Sequence, residues 1–188
     1  MLEERKKRLI ELLRDPEPEI RHVAAESLEL VESLSSLEQI FEILQGGERG
    51  AKVKAIYALE RMGSDKVFAP LLKLLQQGDA DLRAAAIQVL GTKKNPQTLG
   101  AIVKHLKDPH PAVRVHAAEA VGNFPDKRLI PYLAALISEK DDALAAAATK
   151  SLGQIGAVEG EAYILAAMQD PRPAVRLAAA KAIAAIGI

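Results

Sequence analysis

No cysteine occurs in the 188 residues, which excludes a disulfide framework, a thiolate zinc site and a cysteine nucleophile. Tryptophan is absent too, and three Phe and three Tyr are the only other aromatics. Net charge is missing as well: 25 Lys+Arg balance 25 Asp+Glu, so no overall basic field exists to hold a nucleic-acid backbone. No apolar run approaches the roughly 20 residues of a membrane-spanning helix. The stretch from Met1 to Leu13 alternates apolar with charged residues and has no signal-peptide core. These absences predict a cytoplasmic protein that neither binds nucleic acid nor inserts into membranes. β-Branched residues occur singly rather than in alternating runs, so no strand is predicted and the fold class is all-α.

What the sequence does have is a period of 31 residues. One column never changes: Ala24, Ala55, Ala86, Ala117, Ala148, Ala179. Four residues on stands a large aliphatic: Leu28, Leu59, Leu90, Val121, Leu152, Ile183. Three residues before the alanine come Arg21, Lys52, Arg83, Arg114, Ala145 and Arg176. A fixed period of this length marks a solenoid, whose units bury their apolar faces only against neighbours. The register predicts a single repeat domain over 1–188, with six two-helix repeats at about 1–36, 37–67, 68–98, 99–129, 130–160 and 161–188.

Within the fourth repeat, Leu99, Ile102, Val103 and Leu106 follow i, i+3, i+4, i+7 spacing and predict a first helix of about three turns. Asp108-Pro109 stops it, since proline lacks the amide and disfavours helical geometry before it. Pro111 opens a second helix, where a missing N–H costs nothing. Its buried stripe is Val113, Ala117, Ala120, Val121 and Phe124, and Gly122-Asn123, followed by Pro125, ends it. Asp79 and Asp141 are predicted N-caps in the third and fifth repeats. The first-helix core columns read Leu9, Ile40, Leu71, Ile102, Leu133, Ile164 and Leu13, Leu44, Leu75, Leu106, Ile137, Met168.

The pattern Asp-Pro-x-Pro-x-Val-Arg-x-x-Ala-Ala-x-Ala-Val-Gly, best kept in Asp108 to Gly122 and nearly so in Asp170 to Ala184, resembles the short HEAT-like repeat of the phycobilisome-lyase type. The resemblance implies a right-handed superhelix with the second helices on its concave side. It also implies a hydrogen-bond ladder joining successive repeats, with rungs Asp15/Arg21, Asp108/Arg114 and Asp170/Arg176. The fifth repeat departs from this, with Glu139 and Ala145 in the two places. The family includes scaffolds, adaptors, lyases and chaperone-like proteins, so the resemblance implies little about activity.

No catalytic, metal or cofactor residue is predicted. His22, His105, His110 and His116 show no His-x3-His spacing and none precedes a glutamate. Ser33, Ser35 and Ser36 have no histidine near them in sequence, and Gly46-Gly47 with Gly50 form a turn rather than a phosphate cradle. The reading is a non-enzymatic scaffold or adaptor that binds another protein. The alternatives are a bilin-lyase-like, chromophore-handling module, which so few aromatics support poorly, and a structural fragment or engineered array.

Core columns agree between copies, so specificity belongs where copies differ. Positions pointing away from the core on the second helices give Glu26, Val53, Lys54, Tyr57, Arg61, Gln88, Val115, Glu119, Asn123, Lys150 and Gln154 as candidate partner-binding residues. Tyr57 and Arg61 are the side-chain types that most often dominate binding energy. First-helix outer positions such as Glu11, Glu42, Lys73 and Lys104 suit a plain solvated surface. Glutamates run from Glu17 to Glu48 and a basic stretch follows, a local dipole that would orient a partner. The stretch Ala182 to Ile188 carries no charge, so self-association through an uncapped last repeat, or a longer array, is a further expectation.

The register makes a stability prediction. Leu90→Ala, in a central repeat, should cost on the order of 2–5 kcal/mol through the cavity it leaves, while Leu2→Ala, at the fraying end, should cost far less. Urea denaturation of the two variants checks this, and equal losses would refute the register.

Overall fold

A computed structural model describes residues 1–186. Among the described residues there are eleven α-helices and no strand, an all-α repeat fold. Where one domain over 1–188 was expected, the chain divides into two compact units, Met1–Val67 and Phe68–Ile188. Gly187 and Ile188, the end of the tail expected to lack a cap, lie outside the described residues.

The first unit contains α1 (Leu2–Leu12), α2 (Pro18–Gly46), α3 (Arg49–Glu60) and a 3-10 turn at Asp65–Val67. Helix α2 packs on both α1 and α3. It also corrects the sequence reading, because it runs without a break through the boundary expected near residue 36. The segment Ser33 to Leu37 holds neither proline nor glycine, and Ser36 keeps its hydroxyl on the helix by donating to the Glu32 carbonyl at 3.0 Å. The chain turns only at Gly46-Gly47, where glycine weakens the helix and a Cβ on Gly47 would stand 2.6 Å from the Ile43 carbonyl oxygen. Ala24, Leu37, Leu44, Ala55, Ile56 and Leu59 form the core of this unit.

The second unit alternates short first helices, α4 (Phe68–Leu74), α6 (Leu99–Lys104), α8 (Ile130–Ile137) and α10 (Glu161–Ala167), with second helices α5 (Ala80–Lys93), α7 (Pro111–Val121), α9 (Asp142–Ile155) and α11 (Pro173–Ala182). Three-residue 3-10 turns at Pro96–Thr98, Lys127–Leu129 and Val158–Gly160 lead into the later first helices. Asn95 and Asp126 fix two of these turns by accepting from the Gln97 and Arg128 amides at 2.9 and 3.0 Å. The three-turn helix expected from Leu99 is shorter: α6 gives way to a 3-10 turn at His105–Lys107 as the chain approaches Asp108-Pro109. Asp79 caps α5 by accepting from Asp81 and Leu82 N–H, and Asp141 caps α9 through Leu144 N–H. Prolines 111 and 173 open α7 and α11.

The invariant alanines are buried in all six repeats. In the second unit they lie in the seam where α5, α7, α9 and α11 pack successively on one another. A further column explains how close that packing is. A Cβ at Gly91 would stand 2.6 Å from Ala120 Cβ, one at Gly122 would stand 2.6 Å from Ser151 Cβ, and one at Gly153 would stand 2.5 Å from Ala182 Cβ. Gly91 and Gly153 therefore admit the backbone of the next second helix at Ala120 and Ala182, and Gly122 admits the side chains of Ser151 and Gln154. Gly122 has this role besides ending its helix, the only role the sequence reading gave it. Small residues at the contact set the interaxial distance. In the first unit the same column holds Glu29 and Glu60.

Gly153→Ala should therefore destabilise the protein by roughly 1–3 kcal/mol, as overpacking does, despite the higher helix propensity of alanine. Gly100→Ala on α6, where a Cβ meets nothing within 4 Å, should stabilise by up to about 1 kcal/mol. Thermal and urea denaturation of the pair provide the check; a neutral Gly153 variant would show that the seam has room.

Candidate interaction surface

One arginine holds the turn between the two helices of a repeat. Arg21 Nη1 donates to the Asp15 and Pro16 carbonyls at 2.8 and 2.9 Å. Arg83 does the same to Gln77 and Gly78 at 2.8 and 2.9 Å, Arg114 to Asp108 and Pro109 at 3.0 and 3.3 Å, and Arg176 to Asp170 and Pro171 at 2.7 and 2.8 Å. The pairs Asp15/Arg21, Asp108/Arg114 and Asp170/Arg176 thus meet, but through the aspartate backbone and inside one repeat rather than between repeats. Each aspartate carboxylate instead accepts from the amide two residues on, Glu17, His110 and Arg172, at 2.9 Å in every case.

The side-chain rung between repeats is Arg83 to Asp108, which the sequence reading did not single out. Nε and Nη2 of Arg83 donate to the two carboxylate oxygens of Asp108 at 2.9 and 2.8 Å, with both residues buried. Burial alone would push the Asp108 carboxyl up, but the Arg83 bonds and the His110 amide overcome it and hold it below its ordinary value. In the fifth repeat, where Ala145 offers no guanidinium, Arg172 reaches back from the sixth. It donates to the Ile137 and Glu139 carbonyls at 2.6 Å each and grips Asp170 through Nε and Nη2 at 2.8 and 2.7 Å. Chiefly through these Arg172 bonds, the Asp170 carboxyl falls to about 2. Arg114 differs: its nearest carboxylate is Asp141, with Oδ2 3.8 Å from Nη2.

The candidate partner-binding residues divide between the two units. In the first, Glu26 lies 3.5 Å from His22, Val53 is half-buried, Lys54 and Arg61 are exposed, and Tyr57 is 42% exposed. In the second unit Glu119 and Lys150 pair with one another across successive second helices, and His116 joins Gln88 to them. Gln88 Nε2 lies 2.8 Å from His116 Nδ1, His116 lies 3.6 Å from Glu119, and Lys150 Nζ donates to Glu119 at 3.2 Å. Val115 and Asn123 are half-buried, and Gln154 is exposed beside Gly122. His105 is structural, with its ring nitrogens 2.8 and 3.0 Å from the Ala101 and Leu75 carbonyl oxygens.

Two grooves mark this unit. One, of about 640 Å³, runs over α7, α9 and α11: Ala146, Ala147 and Ala178 form its floor, Val115 and Leu177 its apolar walls, and Glu119, Lys150, Gln154 and Lys181 its polar edge. Leu177 is 59% exposed there. The other, of about 990 Å³, lies between α6 and α8 at the turn of the fourth repeat. It has Leu106, Pro131, Tyr132 and Leu136 against Lys104, Lys107, Arg114 and Glu139. Sequence reasoning treated Lys104 as plain surface and missed this second groove; Lys104 and Lys107 flanking Leu106, with Tyr132 one period beyond Ala101, were the available signal. Among the described residues no cluster of His, Cys, Asp or Glu could hold a metal ion, and no helix is long and apolar enough to cross a membrane.

The Asp170–Arg172 grip sets a pH dependence. With the folded carboxyl at about 2 and an unfolded one near 3.9, its stabilisation is complete above about pH 5 and is lost as pH falls toward 2. The difference in thermal midpoint between wild type and Asp170→Asn should be full at pH 5 and close by pH 2. A difference constant over that range would mean that ionisation of this carboxyl is not involved.

The family model described as HEAT repeats matches residues 7–81, 68–153 and 133–187. No curated protein matches the chain. Among solved structures, it is similar to a chain of the complex of CpcE and CpcF of phycocyanin lyase from Nostoc sp. PCC7120, with a TM-score of 0.69 and 23% identity over 80% of this chain. It spans about 65% of that chain's length. YibA of Escherichia coli is similar at a TM-score of 0.64 and 22% identity, over 97% of this chain and 72% of the other. An engineered protein is similar at 0.56 and 18%, over 97% and 96%. These likenesses are of fold. With the family model matching nearly end to end and the two-helix unit returning every 31 residues, the chain belongs to the HEAT-repeat family.

Proposed function

We propose that the protein is a non-enzymatic scaffold that binds another protein on the second-helix face of its Phe68–Ile188 unit, taking an amphipathic helix into the groove over α7, α9 and α11. The observation that carries this reading is Leu177, 59% exposed beside an alanine floor. A large aliphatic left in water on a concave apolar surface suits a partner's apolar stripe. Alanines let the backbone of a docked helix approach closely, as they do between the protein's own helices. Glu119 and Lys150 neutralise one another along one wall, so Lys181 is the charge that would select a carboxylate on the docked helix.

A photo-crosslinking residue at Ala146 identifies the partner, and titration then measures it. Leu177→Asp should lower affinity at least about tenfold, as loss of a central apolar anchor does, while Lys73→Glu on α4 should leave it unchanged. Tyr57→Ala with Arg61→Glu, on the first unit, reports whether the partner extends to α3. Added bilin should give no saturable shift of its absorption band; such a shift would favour chromophore handling, the role suggested by the lyase complex. Equal binding by wild type and Leu177→Asp would overturn the assignment of the groove.

A further inference from the structure

We propose that the groove between α6 and α8 is a second docking site, for a short acidic peptide segment whose carboxylate seats on Arg114 as that of Asp108 seats on Arg83. The protein supplies its own template. Arg83 and Arg114 occupy the same column, and in both Nη1 is fixed on two consecutive turn carbonyls. Fixing that nitrogen turns the other edge of the guanidinium, Nε and Nη2, toward the following repeat. On Arg83 the edge meets Asp108 at 2.9 and 2.8 Å.

On Arg114 the chain offers no equivalent. The residue one period after Asp108 is Glu139, which is exposed and whose carbonyl is drawn to Arg172 at 2.6 Å. Asp141, at 3.8 Å from Nη2, is beyond hydrogen-bond range, and its other oxygen already caps α9 at 3.1 Å. Among the described residues the Nε edge of Arg114 therefore meets no carboxylate bidentately, although a partly buried guanidinium, here 26% exposed, is built for that geometry.

The walls of the groove select the rest of the occupant. Lys104, Lys107 and Arg114 line it against Glu139; Asp108 is paired with Arg83 and Asp141 lies 3.8 Å from Arg114, so the exposed Lys104 and Lys107 set the sign. The balance is cationic, and it attracts an acidic chain. Leu106, Leu136, Pro131 and Tyr132, the last 54% exposed, provide apolar contact between the charges. A segment alternating acidic with aliphatic residues fits both, and about 990 Å³ accommodates a few residues of it. This site is separate from the groove of α7, α9 and α11, so the two readings stand or fall independently.

Fluorescence anisotropy with the full chain tests the proposal. The probe is a labelled hexapeptide of alternating glutamate and leucine, and the control is its glutamine counterpart. The glutamate peptide should bind saturably and the glutamine peptide at least about tenfold more weakly. Arg114→Lys keeps the charge but removes the bidentate edge and should weaken binding at least about fivefold. Because that change also touches the turn, Lys104→Glu with Lys107→Glu, both exposed, serves as the second variant and should abolish binding with helicity unchanged. Glu139→Gln, which removes the opposing carboxylate, should tighten it, and Leu177→Asp should bind as wild type does. Equal binding of the two peptides, no binding at millimolar protein, or wild-type affinity in both cationic variants would overturn the proposal. Displacement by inorganic phosphate at concentrations as low as those of unlabelled peptide would overturn it too, making this a site for small anions.

Discussion

The clasp of an arginine on two consecutive carbonyls is the interaction from which the rest of the repeat follows. Ending one helix and starting the next within three to five residues leaves carbonyls without helical partners. Nη1 of Arg21, Arg83, Arg114 and Arg176 satisfies two of them each time. With one nitrogen committed, the plane of the guanidinium is fixed, and its second edge becomes a rigid donor pair aimed at the neighbouring repeat. What that neighbour presents then decides the local outcome. Asp108 makes a buried rung with Arg83, whereas Glu139 leaves Arg114 facing a groove.

Stacking depends on a second constraint, the absence of side-chain bulk between second helices. Alanine at the invariant column and glycine at 91, 122 and 153 bring α5, α7, α9 and α11 close enough that no further Cβ fits. The polar groups caught in that seam are satisfied locally: Ser151 donates to the Ala118 carbonyl at 2.8 Å and Thr149 to Ala145 at 2.8 Å, and no described buried side-chain polar atom is left unbonded. Dense packing of this kind rewards shape more than hydrophobicity, which is why alanine, rather than leucine, is the residue that never varies.

The alanine and aliphatic columns were legible in the sequence because each recurs once per repeat and each reports a position facing the core. Turn chemistry was legible for the same reason, through Asp79, Asp141 and the prolines. The continuity of α2 was not, since a helix that fails to stop leaves no mark beyond the lack of proline and glycine around Ser35. The ladder was readable as residues but not as atoms: spacing brings Arg114 to Asp108 without saying which oxygen receives it. On the outward face, Glu119 and Lys150 are one period apart and oppositely charged. Their pairing was therefore available to anyone treating residues of one column as neighbours. The outward position of Leu177 was legible in the column it shares with Val53 and Val115, whereas the edge of Arg114 that meets no carboxylate bidentately depends on the turns around it, and no single column contains it.

Arg172 has a consequence for how such an array changes over generations. A repeat protein is usually thought to grow and shrink by whole modules, each carrying its own parts. Here the fifth module borrows: the carbonyls of Ile137 and Glu139 are bound by an arginine encoded in the sixth. Duplicating the fifth alone would produce a copy whose turn has no clasp, and excising the sixth would strip one that works. The fifth and sixth modules are thus tied into a single heritable block of two, while the fourth, with Arg114 on its own turn, carries its clasp wherever it is moved.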